Sequence, residues 1–430
     1  MKLSVYSHGT GWRYGLLGLP LAFVSLPLYV NLPRHYAEQY AMPLGRLGLL
    51  LLLTRLLDAA LDPRIGRWVD DLYERNPLRC WQAAVLAAAL MALGFAALWN
   101  PPADLRGTDA LLLVWLGAAL VLTYLSYSLA AMVHQSWGAR WGGTPEQRAR
   151  LVAWREGAAL AGVLLASVLP ARVGLQVTSV VLVVALCLGL WTLGQTLPKQ
   201  PSRPSRREAA GPSLVGPDSP WRTPAFVALM VVFLLSGTGS ALPATLLPFF
   251  VRDTLQAPDW EPLFLGSYFL AAAIALPLWV KLVRRFGLAA SWLLGMGLSV
   301  LAFCTTPLLG AGDTLAFEFI CLLSGLTLGA DLAVPGAMLT GVIHHAGMGR
   351  KGEGRFFGWW TAATKLNLAL ASGLALPLLA LLEFAPGQST PENRFALALA
   401  YGLLPCIFKL LAAAALWRAM QRHPVLRGKS

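Results

Sequence analysis

Apolar runs close to the length of a bilayer crossing recur along the whole chain, separated by short polar or Pro-bearing turns. About twenty helical residues cross a hydrocarbon core of about 30 Å. On that length the pattern predicts about twelve spans, near 14–33, 44–66, 81–100, 110–136, 152–171, 175–197, 225–250, 262–283, 288–310, 315–342, 356–382 and 395–418. The longest polar interruption, KQPSRPSRREAAGPSLVGPDSPWRTP, is rich in Pro, Ser and Arg and reads as a flexible linker dividing the spans six and six. The expected fold is an all-α polytopic membrane protein of two six-helix bundles. The first is placed at 1–197, the cytoplasmic linker at 198–224, and the second bundle with its cytoplasmic tail at 225–430. Two bundles joined in this way suit a transporter whose site lies near the membrane midplane. A faint internal echo agrees: DPRIGRWVDDLYERNPLR after the second span and LPLWVKLVRRFG at the eighth are both basic turns after apolar helices.

Composition strengthens this picture, with 57% of residues hydrophobic and only 13% charged, where a soluble domain carries about a quarter. The first apolar segment lacks a small-residue cleavage pattern and reads as a retained helix. A net charge of +13 could point to nucleic acid, but its distribution points to topology. Basic residues crowd alternate loops: Arg67, Arg75 and Arg79; Arg140, Arg148 and Arg150; Arg203, Arg206 and Arg207; Lys281, Arg284 and Arg285. This positive-inside bias places both termini in the cytoplasm, in what is expected to be a bacterial inner membrane. Nucleic acid is excluded as a partner, and no obligate protein partner is implied; the expected partners are the lipid bilayer and a small-molecule substrate. The five cysteines show no CxxC spacing, so neither a disulfide framework nor a metal cluster is expected. No Gly-Lys-Ser/Thr phosphate loop and no nucleophile–base arrangement is visible, which argues against ATP-driven transport and against an enzyme. No cofactor is expected.

One stretch departs from the hydrophobic pattern inside a span. TRLLDAALDPRIGRWVDD, residues 54–71, places Arg55, Asp58 and Asp62 in the second predicted helix. Asp58 and Asp62 are four residues apart and stack on one face, with Arg55 one turn back on that side. Charged groups deep in a membrane cost at least about 2.5 kcal/mol and rarely face lipid, so these are expected to turn inward. Two close carboxylates either supply oxygen ligands to a cation or share a proton. The structural alternative is a plain Arg55–carboxylate pair. Pro63 removes one backbone hydrogen bond just beyond.

With these residues in view, the sequence resembles the glycoside–pentoside–hexuronide:cation symporters of the major facilitator superfamily, to which the melibiose permeases belong. DAALDPRIGRWVDD resembles their DxxxDPxxGxxxD signature, and further blocks follow in order: HQSWGARW with TPEQRARLVAWRE, LLSGTGSALPATLLPFFVRDTL, GLTLGADLAVPGAM and GRKGEGRFFGWWTAATK. The resemblance implies alternating-access transport of a small solute such as a sugar or glycoside, coupled to Na⁺ or H⁺. It assigns the coupling cation to Asp58 and Asp62, which are metal ligands if the ion is Na⁺, and it implicates Lys365 of the eleventh helix in the polar cavity. An internal pair of Lys365 with a carboxylate such as Asp331 is the structural alternative. Gly66 and Asp70, with Arg75 and Arg79, resemble the superfamily's loop between the second and third helices, a gating element together with Arg55. There Gly66 allows close helix approach, and Asp70 can pair with a base or with a facing helix N-terminus.

The chain also departs from the melibiose permeases. Its first helix has no carboxylate, its fourth has no Asp, and Leu61 stands where those permeases place an asparagine. The fourth helix offers Tyr124, Ser126, Tyr127, Ser128, His134, Gln135 and, next to them, Trp137. Tyr124, Tyr127, His134 and Trp137 are therefore candidate cavity residues, as are Arg155, Glu156 and Asp331. Each has a structural alternative. His134 can be a simply hydrogen-bonded core histidine, Trp137 an interfacial anchor like Trp359 and Trp360, and Arg155 a membrane-edge anchor. Lys409 of the twelfth helix is expected to snorkel or to pack. Within transport, a lysolipid or other amphipathic solute is the alternative cargo; outside it, a non-transporting sensor or scaffold.

Overall fold

A computed structural model describes residues 8–28, 32–40, 42, 44–105, 109–197, 219–348, 352–384 and 390–427. Most of the expected linker, residues 198–218, lies outside these, as do Arg203, Arg206 and Arg207 of the charge pattern. Among the described residues there is no strand. Fourteen α-helices follow in order: α1 (His8–Gly15), α2 (Gly18–Leu26), α3 (Leu32–Gln39), α4 (Leu44–Arg75), α5 (Pro77–Trp99), α6 (Asp109–Arg140), α7 (Pro145–Gly194), α8 (Pro224–Phe249), α9 (Glu261–Phe286), α10 (Leu288–Phe303), α11 (Thr314–His345), α12 (Glu353–Leu381), α13 (Pro391–Leu397) and α14 (Leu404–Arg422).

Local sequence sets the breaks. Asn76 is extended and accepts a hydrogen bond from the Leu78 N–H, while Pro77 takes the first helical position of α5, where a missing N–H costs nothing. Thr390 caps α13 in the same manner by accepting from the Asn393 N–H, with Pro391 following. Gly174, at φ 79°, interrupts α7 in a conformation that a β-carbon disfavours, and so separates the fifth and sixth expected spans.

Nine stretches among the described residues are long and apolar enough to cross a membrane. The sequence predicted about twelve. The remaining three predicted spans fall on α1–α2, on α4 and on the first part of α7. For α4 the reason is chemical: the predicted span there carries Arg46, Arg55, Asp58, Asp62 and Arg64.

The helices form two compact units. The first comprises residues 1–142, 154–218 and 346–362, and the second 143–153, 219–345 and 363–430. In the first unit α6 packs along both α4 and α5. The approach of α5 to α6 needs Gly94, because a β-carbon there would lie 2.4 Å from Thr123 Oγ1. In the second unit α9 packs on α11 and α8 on α14, with α10 against both α11 and α14. One end of this unit is closed by aromatic rings. The π-helical turns Phe250–Thr254 and Ala398–Leu403 bring Phe250 and Tyr401 into a stack with ring centroids 4.3 Å apart, and Phe264 meets Phe317 edge-on at 4.8 Å. Such pairs contribute about 0.5–1.5 kcal/mol each beyond area burial.

Gly94→Val is expected to force α5 and α6 apart, costing about 1–3 kcal/mol. Its thermal midpoint in detergent should fall by several degrees. Gly48→Ala, where an added β-carbon meets nothing within 4 Å, should leave that midpoint unchanged. Equal melting of the two variants would contradict this account of the α5–α6 contact.

Candidate functional site

On α4 the leucines Leu49, Leu52, Leu53 and Leu56 form an exposed apolar stripe, whereas Thr54, Asp58 and Asp62 are buried. At about 100° per residue, the two aspartates lie on the side of the helix turned away from that stripe. Both carboxylates therefore point into the first unit. Asp58 is 4% exposed and Asp62 fully buried. Ser128 of α6 donates its hydroxyl hydrogen to Asp58 Oδ1 at 2.8 Å. Thr54 donates back to the Leu50 and Leu51 carbonyls, satisfying its own hydroxyl within the helix. The Arg55 guanidinium lies 5.7 Å from the centre of the Tyr124 ring, a cation–π distance. The Tyr127 hydroxyl shares a hydrogen bond with Ser25 of α2. Two carboxylates with a neutral hydroxyl beside them make a hard-oxygen donor set of the kind that hard cations and protons use.

A second polar group gathers on the same unit's α1, α6 and α7. His134 Nε2 contacts the Tyr14 carbonyl oxygen at 2.8 Å, and the two rings lie 4.4 Å apart. Arg155 donates to the neighbouring Glu156 from Nε at 2.9 Å and Nη2 at 2.5 Å, and it also hydrogen-bonds the Tyr14 side chain. These contacts bring His134, Arg155 and Glu156 together around Tyr14. Trp137 stands apart from them: its indole N–H donates to Thr196 Oγ1 at 3.0 Å, and its ring meets Tyr73 edge-on.

Beyond the second predicted span, α4 ends against the start of α12. A β-carbon on Gly66 would sit 2.0 Å from the Gly354 carbonyl oxygen, and one on Gly358 would sit 2.7 Å from that of Asp62, so glycines let the two backbones touch. This approach delivers Asp70 to the first turn of α12. Asp70 accepts the Gly354 N–H at 2.7 Å and the Arg355 N–H at 2.8 Å, two of the donors that a helix start leaves without a partner. Arg140 of α6 bridges Asp70 and Glu353, 3.1 Å from each, with its guanidinium 3.8 Å from the Tyr73 ring centre. Asp70 thus meets a base and a helix N-terminus together. Arg75 and Arg79 are exposed.

In the second unit, Asp331 of α11 is the hub. Its Oδ1 accepts from the Trp292 indole N–H at 2.8 Å and from Ser236 at 3.2 Å; its Oδ2 accepts from Ser240 at 2.9 Å and from the Lys409 ammonium at 2.5 Å. Lys409 also donates to Ser236 Oγ at 2.9 Å and is only 2% exposed. The expectation that Lys409 snorkels or merely packs is therefore corrected. Within the predicted span 395–418 it lies nine residues from the nearer end, about 14 Å of helix, deep enough that pairing with a carboxylate competes with snorkelling. That helix position was the sequence signal for the pair. Lys365 lies half-buried on α12, with Asn367 nearby accepting from Thr238 at 3.4 Å; the ion-pair partner of Asp331 is Lys409.

Among the described residues, apolar spanning helices with no strand, carrying buried ionisable groups, define a polytopic membrane protein. Residues 13–420 match the family described as MFS/sugar transport protein, and the chain belongs to that family, within the major facilitator superfamily. No curated protein sequence matches it significantly. Among solved structures it is similar to a bacterial homologue of the iron transporter ferroportin in an outward-facing state, at 17% identity and TM-score 0.69, covering 96% of this chain and 99% of that one. It is also similar to the major facilitator transporter FucP in the outward conformation, at 14% identity and TM-score 0.61, covering 93% and 98% of the two chains. The human organic anion transporter MFSD10 (TETRAN) aligns at 18% identity and TM-score 0.61, covering 95% and 98%. At these identities the shared property is the fold.

Burial raises the Asp70 carboxyl from 3.8 to about 6, against the lowering pull of the Gly354 and Arg355 N–H groups and of Arg140. The packed state then holds this proton more tightly than the open chain does. Asp70's contribution to stability is fully present below 3.8 and is lost as pH rises through about 6. The thermal midpoint should climb on acidification from about pH 7 to about pH 5, with a component that Asp70→Asn removes. Identical slopes in the two proteins would rule out this carboxyl as the source.

Proposed function

We propose that the chain is a secondary active transporter that couples movement of Na⁺ or H⁺ to uptake of a small solute, a sugar or glycoside, by alternating access. The observation that carries this is the pair Asp58 and Asp62, stacked on the buried side of α4 with the Ser128 hydroxyl on Asp58. An ionised pair in that position is costly, and binding a cation or proton lowers the cost. A carrier that changes state readily only when its charge is compensated links ion and solute movement through the relative stability of its states. Asp70 at the start of α12 suits a latch that holds one state, since its three donors come from two other helices. The charge distribution supports both termini being cytoplasmic.

The family description supports a sugar-type cargo. The similar structures do not choose one. They include a homologue of an iron transporter and an organic anion transporter, so the shared fold accepts very different solutes.

In reconstituted vesicles, Asp58→Asn and Asp62→Asn are each expected to abolish uphill accumulation while folded protein stays in the membrane. Replacing Na⁺ by choline at fixed pH, and separately collapsing the pH gradient, identifies the coupling ion. Undiminished accumulation by both variants would remove the coupling role, and indifference to both gradients would leave a facilitator or a scaffold.

A further inference from the structure

The Asp331–Lys409 pair lies outside the coupling chemistry assigned to Asp58 and Asp62, and its geometry constrains the cargo. The exposed apolar residues of α11 are Leu315, Phe319, Leu322 and Leu326. At about 100° per residue, Asp331 lies about 120–180° around the helix from each of them. Its side chain springs from the side of α11 away from that stripe, near the middle of the helix, and retains 18% exposure. Lys409 is sealed behind it.

The Lys409 nitrogen at 2.5 Å and the Trp292 indole N–H at 2.8 Å pair this acid with its own base, so the node carries no net charge and accepts hydrogen bonds. A cation or anion arriving there would lose hydration without a matching Coulomb gain. A neutral hydroxyl needs only an acceptor. Two of the carboxylate's four donors can yield to it. The Ser236 contact is long at 3.2 Å, and the single Ser240 hydroxyl hydrogen has a second acceptor, the Ser236 carbonyl oxygen at 3.2 Å. Trp292 and Lys409, which are buried, would then keep the carboxylate in place during the exchange.

We propose that Asp331 is a cargo-recognition residue that selects neutral, hydroxyl-rich solutes, and that Lys409 is its buried positioning cation. This rests on the transporter assignment above and narrows its cargo to uncharged polyols and sugars. Asp331 accepts cargo hydroxyl hydrogens; Lys409 touches no cargo and acts through the carboxylate.

The test uses the full chain, purified in nanodiscs and in vesicles, with a panel of neutral mono- and disaccharides and their amino-sugar and uronate counterparts as probes. The expected result is binding of at least one neutral sugar in preference to its charged counterparts. The double substitution Asp331→Asn with Lys409→Met keeps the node uncharged; it should fold and bind that sugar roughly tenfold or more weakly, with its cation dependence unchanged. Asp331→Glu, which retains the pair but displaces the carboxylate, should raise KM with little loss of kcat, whereas a purely structural anchor would lose folded protein and leave KM alone. Preference for a charged counterpart, no binding of any neutral sugar, or wild-type affinity in the folded double variant would each overturn the proposal. If the wild-type protein binds the sugar but accumulates it under no gradient, the coupling assignment fails and this one stands.

Discussion

Ionised groups held inside helices that must also face hydrocarbon are the constraint on which this protein's architecture turns. Each must be rotated away from lipid and given hydrogen-bond partners, since an isolated charge there is too costly to persist. The helices meet this with one repeated device: a stripe of leucine or phenylalanine on one side and a small or polar residue every turn on the other. On α4 the inner line runs Thr54, Asp58, Asp62, Gly66 and Asp70 at intervals of four. That single line orients the aspartates, allows backbone contact with α12 and delivers a carboxylate to that helix's start.

Both units hold buried charge among close partners. In the second, a carboxylate and an ammonium cancel, with two serines and a tryptophan completing the shell. A pair of this kind gains little net stability over an apolar pair, but losing either partner costs about 3–5 kcal/mol because the other is stranded. Its value lies in placing a carboxylate of α11 where three other helices, α8, α10 and α14, all contribute a contact. In the first, Arg140 stands between Asp70 and Glu353, and on α4 two carboxylates share one helix face, with the Ser128 hydroxyl donating to Asp58. Like charges on one face favour an arrangement in which a proton or cation joins them.

Much of this was legible along the chain because its causes are local. Run length marks spans, four-residue spacing marks a shared face, and Gly66 with Asp70 marks a close approach followed by a cap. Lys409 was misjudged because its partners are remote: Asp331, Ser236 and Trp292 lie on three other helices. Lysine in an apolar helix looks the same whether it snorkels or pairs, and only its distance from both helix ends tells the two apart. Trp137 illustrates the same limit, since its hydrogen bond to Thr196 depends on where α7 ends. The ring stack of Phe250 on Tyr401 depends on two π-helical turns that no hydropathy pattern announces.

On the proposed assignments, the ion site on α4 and the hydroxyl acceptor on α11 are separate acids, and ion binding and cargo recognition draw on different side chains. An aspartate added beside Asp58 and Asp62 would raise the negative charge of the first unit and compete for the same cation or proton. On the proposed assignment, moving the hydroxyl acceptor to Asp331 and supplying Lys409 with it separates cargo recognition from ion binding. The fourth helix is freed to present Ser128 to Asp58 and Tyr124 to Arg55. Its polar residues then serve the ion site, and the cargo's strongest acceptor lies on α11.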